Sequence, residues 1–229
     1  MASRFHSLLG TIVVLSGLAT ASVAIASDDH RGGRYEVTIT NLTRGQQFTP
    51  VLLTSHKSSL SLFQLGRPAS PALIILAEDG NTAPLAAALS ARPDVGDVVS
   101  GNSLTPPGGS TTLVINARGG FKQFSLAAML IPTNDAFVAL AGVDLPSGND
   151  TLTIHALAYD AGSERNDELC ASIPGPMFAE CGGPGSGGAP GGGEGYVHVH
   201  AGMHGIGNFQ PANRDWRNPV AVITVRRMR

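Results

Sequence analysis

This 229-residue chain holds two cysteines, one tryptophan, 5% aromatic and 14% charged residues, and each scarcity removes a class of function. Two cysteines with no Cys-x-x-Cys spacing do not make a cysteine-rich zinc module. Neither a Gly-x-Ser-x-Gly nucleophile turn nor a Gly-x-x-x-x-Gly-Lys-Ser/Thr phosphate loop occurs. Basic residues number 15 against 17 acids, so there is no electrostatic footprint for nucleic acid. The one basic cluster, Arg226, Arg227 and Arg229, is too short for a phosphate-binding face and fits a solubilised strand edge, with weak contact to anionic lipid or polysaccharide as the other reading. Beyond the amino terminus no segment is long and apolar enough to span a bilayer.

The amino terminus carries the longest apolar run. Arg4 and His6 precede a stretch from Leu8 to Ala26 that is almost wholly apolar or small, and Ala24-Ile25-Ala26 fits a small-x-small cleavage site. Residues 1–26 therefore read as a secretory signal peptide cleaved near Ala26, with a membrane anchor as the competing reading; Gly10, Ser16 and Gly17 make it a poor anchor. The expected location is secreted or periplasmic, with no transmembrane anchor after processing. In an oxidising compartment Cys170 and Cys181 are expected to pair, closing a loop of about a dozen residues worth on the order of 3 kcal/mol. Thiols sharing a soft metal with nearby histidines are the alternative.

Residues 27–229 suit one domain, and their pattern favours strands. Tyr35, Val37 and Ile39 alternate with polar neighbours, as do Leu152 and Ile154, while Val220 to Val225 is almost continuously β-branched. Ala69 to Asp79 and Thr82 to Ala91 read as two short helices, the first capped by Ser70 ahead of Pro71, and expected to cover one end of a sandwich. Gly182 to Gly195 contains nine glycines and two prolines, which reads as a flexible loop within the domain. Tyr196 to His200 after it reads as a strand that places His198 and His200 on one face. With His204 these histidines are a candidate copper or zinc site; a hydrogen-bonded histidine rim is the other reading. Asn41 and Asn149 begin N-x-T sequons, which matter only where the source glycosylates secreted proteins.

The most informative stretch is Tyr159-Asp160-Ala161-Gly162-Ser163-Glu164, two carboxylates around a glycine at a strand end. It is either a loop for a hard cation such as calcium, which takes six to eight oxygen ligands, or an ordinary Asx-type turn. Asp167 and Glu168 follow closely and offer further carboxylates. Asp215 and Trp216, before the last strand, lie either near such a site or at a corner, with Trp216 capping the core and Asp215 paired to Arg214 or Arg217.

Several blocks in fixed order carry a family resemblance: Tyr35 to Thr43, Thr54 to Lys57, Phe63 to Ser70, Leu76 to Gly80, Ile131 to Val138, the acidic hexapeptide, and Pro219 to Arg227. Together they resemble the spondin domain of F-spondin and mindin, in its short bacterial single-domain form. The resemblance implies a mostly β, antiparallel sandwich similar to the calcium-dependent lipid-binding sandwich, with one or two short helices. It implies a calcium ion held by Asp135 of a Pro-x-x-Asp loop together with Asp160 and Glu164. This chain has Ala136 where the animal members have an aromatic, and Glu164 where they have Asp; Glu ligates calcium as well. The expected function is a secreted calcium-binding module for adhesion or extracellular ligand binding, without catalysis, whose ligand is a polysaccharide, lipid or protein of the envelope or matrix. The competing expectation is a periplasmic metalloenzyme using His198, His200 and His204.

Overall fold

A computed structural model describes residues 33–185, 187–188 and 191–229; the expected signal peptide lies outside the described residues. Strands dominate, in chain order β1 (Gly33–Asn41), β2 (Gln47–Phe48), β3 (Leu52–His56), β4 (Val95–Ser100), β5 (Ser110–Ala117), β6 (Gln123–Ile131), β7 (Ala136–Asp144), β8 (Thr151–Asp160), β9 (Met177–Phe178), β10 (Gly183–Pro184), β11 (His198–Val199) and β12 (Ala221–Arg227). Among the described residues three α-helices accompany them, α1 (Pro71–Asp79), α2 (Ala83–Ser90) and α3 (Pro211–Arg214).

One antiparallel path, β4-β3-β6-β7-β8-β12-β1-β5, bends round until its two edges meet, giving a nearly closed sandwich. Side chains bridge the seam: Ser55 Oγ donates to the Asn116 carbonyl at 2.6 Å, and Asn116 N–H donates to Asp97 Oδ2 at 2.8 Å. The alternation read in the sequence governs the packing. Val37 opposes Val225 and Ile39 opposes Ile223, all fully buried, while Thr38 and Thr112 bond through their hydroxyls on the outer face.

β6 is buried over eight consecutive residues, because one face meets the sandwich core and the other lies under the helices. Ser70 caps α1 by accepting the Leu73 N–H, and Gly80 ends it in the left-handed region at φ 66°. The apolar side of the pair, Leu73, Leu76, Leu85 and Leu89, packs on Leu52, Ala127, Phe137 and Ala139 of the sheet. Each such leucine contributes about 1.5–3 kcal/mol by leaving water. The helices thus cover a face of β3, β6 and β7, not the end of a sandwich as expected from sequence, since an apolar stripe two helices wide needs an apolar face beneath it. The expected strand Tyr196–His200 is shorter than its pattern suggests: only His198 and Val199 join β8.

Candidate functional site

The end of β8 is where three chain segments meet. Asp160, its last residue, pairs in register with Ala136 at the start of β7 on one side and with His198 of β11 on the other. Residues directly opposite in antiparallel strands share a face, so register alone sets His198 beside Asp160 and puts Asp135 one residue away. The turn before β7, Pro132 to Asp135, is fixed by Thr133, whose hydroxyl donates to the Leu130 carbonyl at 2.5 Å and accepts the Ala136 N–H at 3.2 Å.

The acidic loop then folds over Asp135. Asp135 Oδ2 accepts the Ser163 N–H at 2.8 Å, the Ser163 hydroxyl at 3.0 Å and the Glu164 N–H at 3.1 Å. Asp160 accepts the Gly162 N–H on Oδ1 and the Asn166 amide on Oδ2, both at 2.7 Å. Gly162 is required here: its φ is +68°, and a Cβ would sit 2.3 Å from the Tyr196 carbonyl oxygen. Both carboxyls are fully buried, and burial raises their pKa values, with the charge of Asp160 adding to the effect on Asp135.

Glu164 is the outlier. It is fully buried, neither carboxyl oxygen has a hydrogen-bond partner among the described residues, and Asp135 Oδ1 is likewise unpartnered among them. Burial, then the charges of Glu78 and Asp135, push its pKa up to about 8. Burying an unpaired carboxyl is costly, so three orphaned oxygens in two adjoining loops fit a cation-binding role. The described part of the glycine-rich run packs over this loop, with Gly191 and Gly195 donating to the Ser163 and Gly162 carbonyls. At Gly188 a Cβ would strike Glu164 Oε1 at 2.4 Å, so the backbone approaches the carboxylate as only glycine allows.

On the other side of Asp160 is a cavity of about 230 Å³ lined by Asp160, Glu168, Glu194, His198, His200 and His204, among others. His198 Nε2 lies 3.2 Å from Glu194 Oε2 and 3.6 Å from Asp160 Oδ1. Burial opposes charging His198, but its bonds to the Val199 carbonyl and Glu194, with the charge of Asp160, outweigh that and raise its pKa. His200 is the reverse case: burial pushes its pKa down to about 4, so its 3.7 Å approach to Asp160 Oδ2 is not an ion pair. Among the described residues, the group of potential ligands lying within 4.8 Å of one another is Asp160, Glu194 and His198. Asp135, Glu164 and His204 stand outside it.

Asp167 and Asp215 are engaged in hydrogen bonds and an ion pair with neighbouring segments. Asp167 accepts the Leu169 N–H and the Ser172 hydroxyl within its own loop and the Asn134 amide from the turn before β7. Asp215 accepts the Met203 N–H and pairs with Arg217, while Arg214 forms a bidentate pair with Glu180. Trp216 is buried against His200 with ring centroids 5.0 Å apart, as the corner reading has it. Cys170 and Cys181 form a disulfide, with Cα atoms 5.6 Å apart.

Sequence reasoning missed Glu194 and understated Glu168. Glu194 is the lone charge in the run from Gly182 to Gly195, which was a usable signal. Glu168, at φ 57° and buried, receives the N–H groups of His204, Gly205 and Ile206 on its carboxylate. That cradle anchors the segment bearing His204, and no local pattern announces it.

Among the described residues, no helix is long and apolar enough to cross a membrane. No curated protein matches the chain. The family model described as Spondin_N matches residues 39–168, which runs from Ile39 near the end of β1 through the acidic loop to Glu168 and takes in Asp135, Asp160 and Glu164. With its antiparallel, nearly closed β-sandwich, this chain therefore belongs to the spondin N-terminal domain family.

Proposed function

We propose that the protein is an extracellular calcium-binding module that works by adhesion or ligand binding and not by turnover, with the ion held by Asp135, Asp160 and Glu164. The observation that carries this reading is the set of buried carboxylate oxygens without partners among the described residues, Asp135 Oδ1 in the turn before β7 and Glu164 Oε1 and Oε2 in the loop after Asp160, which folds over that turn. A hard divalent cation takes oxygen ligands of this type and would offset the mutual repulsion of the acids. The intramolecular disulfide and the spondin family fit an extracellular setting. The ligand classes that suit such a module are polysaccharide, lipid surface and protein.

Titration calorimetry on the parent and Asp160→Asn tests the ion site. Calcium binding in the parent and its loss in the variant are the expected results, and equal affinity would remove the assignment. Retention of protein-coated beads on immobilised polysaccharide, anionic vesicles and matrix protein, with calcium and then with chelator, tests the adhesive role. Calcium-dependent retention on one of these surfaces is expected; retention on none counts against adhesion.

A further inference from the structure

We propose that Asp160, Glu194 and His198 form a three-ligand site for a divalent first-row transition metal of the zinc class, with an open coordination position facing the cavity and the ring N–H of His200. This site is separate in chemistry from the calcium loop and shares only Asp160 with it.

The spacing suits a small tetrahedral ion. Bonds of about 2.0–2.2 Å at tetrahedral angles put neighbouring ligand atoms about 3.3–3.6 Å apart. His198 Nε2 is 3.2 Å from Glu194 Oε2 and 3.6 Å from Asp160 Oδ1. Calcium, at about 2.3–2.6 Å and with a preference for oxygen alone, fits this mixed nitrogen and oxygen set poorly.

The tautomers support the assignment of roles. His198 Nδ1 donates to the Val199 carbonyl oxygen at 3.2 Å, which holds the ring with Nε2 towards the two acids; without metal Nε2 donates to the Glu194 carboxylate at 3.2 Å, and a bound ion would displace that one proton and take the Nε2 lone pair. In His200 the Gly202 N–H donates to Nδ1 at 3.0 Å, which places the hydrogen of the neutral ring on Nε2. His200 is therefore not a ligand. Its side chain is 6% exposed, its Nε2 has no hydrogen-bond partner, and it lines the same cavity. A buried donor left unpaired beside an incomplete coordination sphere is suited to an anionic or water-derived group on the metal's open position.

Asp160 is held by the Gly162 and Asn166 bonds on rigid β8, and His198 is fixed to it by strand register. Glu194 comes from the glycine-rich run and stands half-exposed at the cavity rim, within 3.2 Å of His198 Nε2.

The test uses the oxidised full chain stripped with chelator and titrated with zinc by calorimetry, and with cobalt(II) by visible absorption, which reports tetrahedral geometry. One ion per chain with tetrahedral cobalt bands is expected. His198→Ala and Glu194→Gln should weaken zinc roughly tenfold or more while leaving calcium binding intact, which also shows that the variants fold. Glu164→Gln and His204→Ala should bind zinc as the parent does. No stoichiometric zinc in the parent would overturn the proposal and leave His198 as a plain ion pair with its two acids. Equal zinc affinity in His198→Ala would mean adventitious surface binding and would overturn it too. Because the Glu164→Gln variant removes only calcium binding and the His198→Ala variant only zinc binding, failure of either site is distinguishable from failure of the other.

Discussion

Replacing Glu164 with Gln tests the physics of the acidic loop most directly. The carboxyl is fully buried with both oxygens unpaired, and its pKa is pushed up to about 8 from an unfolded value of 4.5. The folded chain without calcium thus holds a proton that the unfolded chain releases, so stability is greatest below pH 4.5 for this group and falls as pH rises towards 8. At about 1.4 kcal/mol per unit, the penalty near neutral pH is roughly 3 kcal/mol. Glutamine keeps the shape and removes the ionisation, but its amide inherits the unpaired position, which returns about 1–3 kcal/mol. In chelator, Glu164→Gln should therefore be at least as stable as the parent at neutral pH, and its stability should decline less between mildly acid and mildly alkaline pH. For a domain of this size each kcal/mol moves the melting temperature by about 2–4 °C, so the difference in pH response should reach several degrees. In saturating calcium the order reverses, because the parent gains stability by mass action and the variant does not. Thermal unfolding followed by circular dichroism across pH, with chelator and with calcium, reads all of this. Parallel pH curves for the two proteins, or an equal rise on adding calcium, would refute the reasoning.

Three other outcomes are expected. Cys170→Ala/Cys181→Ala should lower stability by about 2–4 kcal/mol in denaturant unfolding, and the parent should take up two alkyl groups only after reduction, as intact mass reports. Glu168→Gln removes the charge that three backbone N–H groups of residues 204–206 share, so amide exchange there should accelerate, reflecting a local loss of about 1–3 kcal/mol, while β6 amides stay protected. Gly162→Ala sets a Cβ against the Tyr196 backbone at a positive φ and should cost more than about 1 kcal/mol, with weakened calcium binding by calorimetry as the functional readout.

Much of the architecture was legible along the chain because it is written in local periodicity. The alternation at Tyr35 to Thr40 and Leu152 to His155 located β1 and β8, and Ser70 with Pro71 marked the start of α1 to the residue. The only two cysteines determined their own pairing. What the sequence by itself determined, then, was the strand-rich class, the helix pair, the disulfide and the presence of an acidic loop at the end of a strand. The pairing of Asp160 with both Ala136 and His198 was decided only in three dimensions, since strand register depends on hydrogen bonds between segments 24 and 38 residues away. Tertiary packing likewise chose Glu194 over His204 as the neighbour of His198, and left Glu164 buried without a partner. Periodicity is a property of one segment, and burial, orphaned atoms and convergent ligands are properties of several segments at once, which no single stretch of sequence contains.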